Sequence, residues 1–536
     1  MSLSVRTVSL LLAVGLGGGA GAHAASSVTV TDPGDADNND SVCTLREAIT
    51  AANTQTSYHG CTFSGTGSPT TIAFAIPGSG VQVIPVASRL PAISKPVILD
   101  GLTQTGASCA SWPPTLLIQI DNPSGGAYNG LTLDPGSDGS ILRGLVITGF
   151  VNNTGYAYNF NAAINIYQSN GNHVECNFLG TDPDGVTVNA NLRGVDINSA
   201  SNNVIGSDGT AKSYVARNLI SGNTYGQVDT RGAALSGNRI SGNYIGTDVT
   251  GTVAMSNQGS AEGVDISASP GPASGNYVGW DGVGDPVLMR NVISGFTGVG
   301  YGGVNMVVGA QGNIVAGNYI GTDATGLHAI PNWAGIELGS NGSVYHNIIG
   351  SDGTLDYKLA RNVIAGNNFA GVDINAANGT HDNAVIGNYI GVKADGSGTL
   401  GNGQYGISMD YAAANTLIAR NWIAGQGTAI RFFASGSFGG GSTAQFINNG
   451  GGGTVGLPSL DSRDNCVLGG TGVLVQAQGA NVPSPNHFEN NWWGAATGPN
   501  TPGASAADGS IAASPFLTAP AQVCSDVIFA NGFELP

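Results

Sequence analysis

Gly194-Val195-Asp196-Ile197 is one copy of a four-residue string, GVDI, that recurs along the chain. The same letters stand at 263–266 and 371–374, and the variants GVNM, GIEL and GISM begin at residues 303, 335 and 406. AINI at 163–166 and AIRF at 429–432 extend the series, which advances by about 33 residues per step when Gly226 is included. A fixed period of this length indicates a solenoid, in which each repeat packs only on its neighbours.

Three further strings recur along the chain at about twice this period. NYIGTD begins at 243 and 318, with the relatives NFLGTD at 177 and NYIGVK at 388, while RN(L/V/W)I(S/A)G places its Asn at 218, 291, 362 and 421. These two alternate, so a period of about 70 residues holds two similar units. The third kind, NVIGSDG and its variants, begins at 203, 276 and 347.

Each turn of the solenoid, which we call a coil, is therefore predicted to hold three short apolar strands joined by Gly, Asn and Asp loops. Strands this short are stable only when stacked, and stacking like on like gives three parallel sheets around one core. Crossovers between parallel strands are strongly right-handed. The sequence thus predicts an all-β protein: a single right-handed parallel β-helix with three sheets, of pectate-lyase-like architecture.

Strand alternation assigns the side chains of each GVDI string. Val195 and Ile197 are predicted to point into the core, and Asp196 is predicted to point outwards into solvent. The recurrent asparagines suit left-handed turn positions, which Asn tolerates better than most residues. Stacked on one another, their side-chain amides are predicted to form a hydrogen-bonded ladder.

Composition and charge narrow the classes of function. The chain has 86 Gly, 41% hydrophobic and only 10% charged residues, which fits a large core with many tight turns. Its formal charge of −17 reflects 34 acids against 17 bases. A nucleic-acid-binding protein needs clustered Lys and Arg to displace counterions, so we expect no nucleic-acid partner.

The first residues are typical of a secretory signal peptide. Arg6 gives a positive start, an apolar segment follows from Val8 to Leu16, and AHA at 22–24 suits cleavage near Ala24. No later apolar run is long enough for a transmembrane helix. We therefore expect a secreted or surface-exposed protein, monomeric and with disulfide-bonded cysteines. Proximity in sequence favours Cys43–Cys61 and Cys466–Cys524, and leaves Cys109 and Cys176 unassigned.

The ends of the solenoid need caps. CTLREAITAAN at 43–53 is predicted to be a helix whose Leu45, Ala48, Ile49 and Ala52 share one face and plug the N-terminal end. NNWWGAATGP, with Trp492, is predicted to close the other end. The expected organisation is a signal peptide at 1–24, an N-terminal cap with the first coils at 25–110, β-helix repeats at 111–455, C-terminal coils with their cap at 456–520 and a tail at 521–536.

CTLREA resembles the CSLREA-type motif of bacterial secreted and surface β-helix proteins, a group distantly similar to chlamydial polymorphic outer-membrane proteins. The stretch FAIPGSGVQVIPVASRLPAISKPVILDGLTQTGAS and the GNYIGTDATG and RNVISGN repeats are also similar to that group. The chain departs from the chlamydial proteins because it lacks their C-terminal β-barrel segment and repeated GGAI pattern. The resemblance implies a β-helix outside the cell and no particular reaction.

The strongest candidate site is the row of third positions in the GVDI-like strings: Asn165, Asp196, Asp265, Asn305, Glu337, Asp373, Ser408 and Arg431. Neighbouring strands lie about 4.8 Å apart, so Glu337 and Asp373 are predicted to be adjacent carboxylates. The row is interpreted first as a solvated polar face. Two alternatives stay open, a calcium site through Glu337 and Asp373 and a catalytic group formed by Asp265, Glu337, Asp373 and Arg431.

A weaker calcium candidate is the acidic loop before the helix, with Asp35, Asp37 and Asn39. No cofactor is expected to be required, and calcium is the one that the sequence suggests. The preferred function is non-catalytic: an adhesin-like, structural or glycan-binding protein whose partner is a polysaccharide or a cell-surface glycan. The alternative is a carbohydrate-active enzyme, either a polysaccharide lyase or a glycoside hydrolase.

Overall fold

Three long parallel sheets dominate the computed structural model, which describes residues 25–433 apart from 153–160, 256–260, 340–341, 343, 353–355, 357, 376–379 and 411–415. Beyond 433 it describes only the strands at 466–468, 473–478, 486–487, 506–507 and 511–512. The expected signal peptide, Cys524, the cap at Trp492 and the tail lie outside the described residues. So does the side chain of Cys466.

Each of the three main sheets has twelve strands, and every pairing within them is parallel. The first sheet consists of Ser27–Val30, Thr70–Phe74, Val97–Asp100, Ile141–Arg143, His173–Glu175, Val204–Gly206, Arg239–Ser241, Tyr277–Gly279, Ile314–Ala316, Ile348–Gly350, Ala384–Ile386 and Leu417–Ala419. The second consists of Gln82–Pro85, Ile118–Asp121, Leu145–Thr148, Phe178–Leu179, Leu219–Ile220, Tyr244–Ile245, Val292–Ile293, Tyr319–Ile320, Val363–Ile364, Tyr389–Ile390, Trp422–Ala424 and Cys466–Leu468. The third consists of Leu131–Leu133, Ala162–Tyr167, Arg193–Asn198, Gly226–Arg231, Glu262–Ile266, Gly302–Met306, Ala334–Leu338, Ala370–Asn375, Tyr405–Asp410, Thr428–Phe433, Val473–Gln478 and Ala506–Ala507.

Smaller elements lie between the coils. A three-stranded sheet joins Leu235–Ser236, Ala273–Ser274 and Ala310–Gln311, and a two-stranded one joins Asn486–His487 and Ile511–Ala512. The helical segments are Leu45–Thr54, Gly101–Thr103 and Pro286–Met289. The predicted parallel β-helix is confirmed: NVIG-like strings form the first sheet, NYIG- and RNVI-like strings the second, and GVDI-like strings the third.

The core is a continuous column of aliphatic side chains. Val195 pairs with Val228, and Val228 with Val264, and all three are fully buried. Ile197 is equally buried, as alternation predicts. The column ends on the helix Leu45–Thr54, whose apolar face packs into the same core. Thr44 and Glu47 form a reciprocal capping box at its start, which explains why Glu47 is buried.

Asparagines tie successive coils together. The Nδ2 of Asn318 donates to Oδ1 of Asn362 at 3.0 Å and to the Val278 carbonyl at 2.8 Å, and its own Oδ1 accepts from Asn291. The same pattern runs through buried asparagines before the second-sheet strands, at 177, 218, 243, 291, 318, 362, 388 and 421. A parallel ladder precedes the first-sheet strands, at 172, 203, 238, 276, 313, 347 and 383.

The ladder is confirmed, but its predicted backbone conformation is wrong. The left-handed position is the residue before the ladder asparagine in many coils, such as Cys176, His346 and Arg420. Glycine occupies that position in others, including Gly317. The asparagine follows the turn and enters the strand, where its side chain reaches the next coil and the left-handed residue makes the corner.

The two-coil period in the sequence has a geometric cause. After every second coil the chain forms a small hairpin, closed by the antiparallel bridges Thr181–Val188, Thr247–Ala254, Thr322–Ala329 and Val392–Thr399. Successive hairpins contact each other, as when the amide of Val249 donates to the Gly185 carbonyl. A hairpin is two strands wide, about twice the 4.8 Å spacing of the coils, so alternate coils are enough to fill the side of the solenoid.

Two disulfides appear among the described residues. Cys43–Cys61 confirms the expected pair and pins the plug helix, with a Cα–Cα distance of 4.6 Å. Cys109 and Cys176, which proximity in sequence left unassigned, are bonded to each other across 67 residues. This second bond joins the loop between strands Val97–Asp100 and Ile118–Asp121 to the corner that follows strand His173–Glu175. In the part of the chain that the structure describes, no helix is long and apolar enough to cross a membrane.

Replacing a ladder asparagine should lower the free energy of unfolding far more than replacing an exposed asparagine. Asn318→Ala leaves buried partners in two neighbouring coils without their hydrogen bonds, so we expect the free energy of unfolding to fall by about 1–3 kcal/mol. Asn368→Ala is the matched control, because Asn368 is exposed. Urea denaturation of both variants measures the difference, and equal midpoints would contradict a stabilising role for the ladder.

Candidate functional site

The acidic row predicted from the sequence is one continuous register line across the third sheet. Backbone pairing aligns its members in the order Asn165, Asp196, Asp229, Asp265, Asn305, Glu337, Asp373, Ser408 and Arg431. Asp229 is the one member that the sequence analysis missed, because its coil reads GQVDT instead of GVDI. Glu337 and Asp373 are direct neighbours, as predicted. Arg431 lies two strands beyond Asp373.

The interpretation of this row as a solvated face is wrong. Asp196 is completely buried, Asp229 is 5% exposed, and Glu337 and Asp373 are each 8% exposed. Asp265 keeps intermediate exposure. Alternation correctly places these side chains outside the solenoid core, but neighbouring side chains then cover them. The row is therefore a desolvated set of carboxyl groups on the outer face of the third sheet.

Two arginines cover one end of the row. Arg231 contacts both carboxylate oxygens of Asp196, at 2.7 and 2.5 Å. Arg193 forms an ion pair with Asp229 and is itself only 4% exposed. The ring of Tyr225 lies over the Arg193 guanidinium, 4.1 Å from its centroid. Each arginine thus pairs with an aspartate of the adjacent coil and removes it from solvent.

The middle of the row has a different balance of charge. Glu262, three residues before Asp265 on the same strand, interacts with it electrostatically. Burial, together with the charge of Glu262, raises the pKa of Asp265 well above its usual range. Burial, followed by repulsion from Asp265, raises the pKa of Glu337 to about 7. These carboxyl groups can therefore hold protons under conditions in which exposed ones cannot.

Asp229 belongs to the same electrostatic unit. Burial raises its pKa to about 6 even though Arg193 opposes the shift. The charges of Asp265 and Asp196 add to the rise. Perturbed carboxyl groups grouped in this way are more typical of functional sites than of inert surfaces. Neither Asp229 nor Glu262 was among the residues predicted from the sequence.

Aromatic residues, here called the aromatic column, stand four residues before the acidic row in several coils of the third sheet. The column is formed by the residues just before the third-sheet strands: Tyr225, Tyr301, Trp333 and Phe369. Tyr225 is exposed, and the other three are partly exposed. The rings of Trp333 and Phe369 stack in parallel, 5.2 Å apart, and Tyr405 meets Phe369 edge-on at 5.4 Å. The four-residue string gave no sign of this column because its members lie outside the string.

Arg431 closes the far end of the face. Its guanidinium lies over the ring of Tyr405, 4.2 Å from the centroid, and its Nη1 donates to the Tyr405 hydroxyl at 3.0 Å. It therefore contacts the aromatic side of the face. The predicted catalytic group of Asp265, Glu337, Asp373 and Arg431 shares one register line, with Asn305 and Ser408 interposed.

The calcium candidates in the N-terminal loop are separated. The carboxylate of Asp35 is held by Arg46 at 2.7 Å and by the amide of Ala87. Asp37 instead meets His59, whose Nδ1 lies 3.2 Å from Asp37 and 3.2 Å from Glu47. Asp37, Glu47 and His59 are the one group of three with mutually close metal-ligand atoms within the described ranges. The pair Glu337 and Asp373 does not belong to such a group.

The pKa of Glu337 links stability to pH. A carboxyl whose pKa rises from its usual 4.5 to about 7 on folding stabilises the protein fully below pH 4.5 and loses that contribution as pH rises through 7. At pH 8 the free energy of unfolding of Glu337→Gln should therefore exceed that of the parent by roughly 2–3 kcal/mol, and this difference should disappear near pH 4.

Asp356→Asn is the control for that experiment, because Asp356 is exposed. Urea midpoints measured across this pH range provide the comparison. A Glu337→Gln profile parallel to that of the parent would show that Glu337 is solvated, contrary to the burial described above.

No protein-family model and no curated protein matches the chain. Among solved structures it is similar to the A-module of the Azotobacter vinelandii mannuronan C-5 epimerase AlgE4, with 14% identity and a TM-score of 0.33 over 84% of this chain and 98% of that one. The AlgE6 A-module from the same organism gives 14% identity and a TM-score of 0.24, covering 91% and 98%. PfbA, a surface adhesin of Streptococcus pneumoniae, gives 13% and 0.23, covering 75% and 88%. These likenesses are distant.

Proposed function

We propose that the protein is an extracellular polysaccharide-binding β-helix and that the glycan lies on the outer face of the third sheet. The observation that carries the proposal is the aromatic column just before the same third-sheet strands that bear the row of largely buried carboxyl groups. A sugar ring has both an apolar face and polar hydroxyl groups, and ligand-binding sites combine apolar contacts with a few precisely positioned polar groups. Tyr225, Tyr301 and Trp333 offer the apolar contacts, and Asp265 and Glu337 offer the polar groups.

The length of the face supports a polymeric ligand. The acidic row crosses the five coils from Tyr225 to Phe369, and aromatic residues precede the strands of four of them, with Ala261 at the equivalent position in the remaining coil. At about 4.8 Å per coil, a distance of roughly 20 Å separates the first coil from the last. A face of this length suits several consecutive sugars of a chain that runs along the solenoid axis.

The raised pKa values favour hydrogen bonding to sugar hydroxyls. A protonated carboxyl both donates and accepts a hydrogen bond, whereas an ionised one only accepts. Glu337 and Asp265, whose pKa values are raised, can therefore pair with hydroxyl groups in either direction. The cost of their burial is offset when a ligand supplies the partner.

We also propose export from the cell. The two disulfides support an oxidising compartment. The signal-like start of the chain and the resemblance of CTLREA to the motif of secreted and surface β-helix proteins point the same way. An adhesin-like role follows if the bound polysaccharide belongs to another cell.

Removing one ring from the aromatic column should weaken glycan binding without disturbing the core. Trp333→Ala is expected to lower affinity about tenfold for whichever polysaccharide binds, because a stacking aromatic contributes about 1 kcal/mol or more. Tyr277→Ala is the control, since Tyr277 is a partly exposed aromatic of the first sheet. Binding to a polysaccharide array identifies the ligand, and titration calorimetry gives the affinities. No binding anywhere on the array, or equal losses in both variants, would contradict the proposal.

A second candidate function is hydrolysis or elimination of a glycosidic linkage on the same face. The observation in its favour is the pKa of Glu337, which at about 7 suits a general acid. The adjacent Asp373 would then serve as the second carboxylate, because neighbouring strands at about 4.8 Å suit the spacing of a retaining hydrolase.

Product release distinguishes the two functions. If the protein is an enzyme, incubation with the polysaccharide it binds should release reducing ends or unsaturated products, and Glu337→Gln should abolish the release while binding persists. If it only binds, neither protein will release product with or without calcium. Mass spectrometry of the reaction mixture detects both kinds of product.

A further inference from the structure

The acids in the middle of the third-sheet face indicate which class of ligand the face can bind. Arg231 and Arg193 pair with Asp196 and Asp229 at one end of the row. In the next coils, Glu262, Asp265 and Glu337 form no ion pair with Lys or Arg within the described part of the chain. The charge of Arg193 reaches Glu262 and Asp265, but Arg193 is already paired with Asp229, so the three acids are only partly compensated.

Two of these acids also have unused hydrogen-bonding capacity. Glu337 is 8% exposed, and no hydrogen bond to its carboxyl occurs among the described residues. Repulsion from Asp265 adds to the rise in its pKa. Asp265 Oδ1 is buried and has no hydrogen-bond partner there either. A buried, unsatisfied carboxyl is costly, so the site is arranged to gain from a ligand that donates hydrogen bonds.

A bare metal ion fits this arrangement poorly. Calcium takes six to eight oxygens at about 2.3–2.6 Å, which requires several carboxylates to converge on one point. The Asp and Glu side chains of the acidic row do not bring three ligand oxygens close together, whereas Asp37, Glu47 and His59 do bring three ligand atoms together. Its members are spread along the solenoid, with Asn305 between Asp265 and Glu337. Acids spaced along the solenoid suit a ligand whose hydrogen-bond donors are also spaced along its length.

An ammonium group carried by a sugar fits better. It supplies up to three hydrogen-bond donors and a positive charge. It is also attracted to aromatic faces, and Tyr301 and Trp333 precede the strands of Asn305 and Glu337 on this face. We propose that the third-sheet face recognises a cationic glycan, a polymer of amino sugars with unacetylated amines, whose ammonium groups lie against Glu262, Asp265 and Glu337.

This inference rests on the proposed glycan-binding function and specifies its ligand class. It also excludes polyuronates, because their carboxylates would face a row of acids with no free base in its middle. The arginines cannot easily reverse that preference, since both are already engaged by aspartates.

The test compares two oligosaccharides that differ only in the amine. A β-1,4-linked glucosamine hexamer and its fully N-acetylated counterpart are titrated into the full-length protein at about pH 7, where both Glu337 and the amine are partly ionised. We expect the glucosamine hexamer to bind about tenfold or more tightly than the acetylated one, and added salt to reduce that preference.

Glu337→Gln and Asp265→Asn should each reduce the preference for the amine and leave weak binding of the acetylated hexamer. Asp356→Asn, on an exposed loop, is the matched control and should keep it. Thermal unfolding confirms that each variant is folded before the titration. Rescue by the conservative changes Glu337→Asp and Asp265→Glu would support a direct electrostatic contact.

The outcomes separate the inference from the function on which it rests. Equal or tighter binding of the acetylated hexamer, or of a galacturonate hexamer, would overturn the cationic ligand and keep the glycan-binding face. No binding of any hexamer would overturn both. Stabilisation by calcium alone, abolished by Glu337→Gln, would also overturn the inference, because it would make the row a metal site.

Discussion

The asparagine ladders are the interaction on which the rest of the structure depends. Each ladder side chain, such as that of Asn318, bonds to the asparagine of the next coil and to a backbone carbonyl of an earlier one. Because the amide offers both a donor and an acceptor, one residue type satisfies corners that would otherwise bury unpaired polar groups. Without that satisfaction the coils could not stack closely enough for Val195, Val228 and Val264 to form a continuous core. The ladders therefore fix the register, and the register places the outward rows of side chains.

That register creates a particular kind of surface. Residues at one position of successive coils are brought to about 4.8 Å from each other whatever their charge. At Asp196 and Asp229 the sequence compensates the charge with Arg231 and Arg193. At Glu262, Asp265 and Glu337 it does so only in part, and the pKa values rise. A solenoid could avoid this cost with neutral residues, as it does at Asn305. The retention of acids in coils that also carry aromatic residues is what makes this part of the face a candidate site.

Much of this arrangement could be predicted from the sequence, because the repeat encodes position. GVDI-like strings identified the third sheet, and strand alternation placed Val195 inside and Asp373 next to Glu337. The burial of the row could not be predicted, because it depends on side chains outside the string. Arg193 and Arg231 lie on the same strands, and Tyr225 comes from the preceding loop. Asp229 was not predicted to belong to the acidic row because GQVDT differs from the GVDI string, although the repeat period points to that position. The bond between Cys109 and Cys176 depends on how distant loops meet, which spacing along the chain does not reveal.

We propose that the outer face of the third sheet between Tyr225 and Phe369 holds a glycan. The most direct measurement is the crystal structure of the protein with the oligosaccharide that binds most tightly. We predict sugar rings along the aromatic column, with polar substituents directed at Asp265 and Glu337. A ligand on the first or second sheet, or at the N-terminal loop near Asp37 and His59, would contradict this proposal.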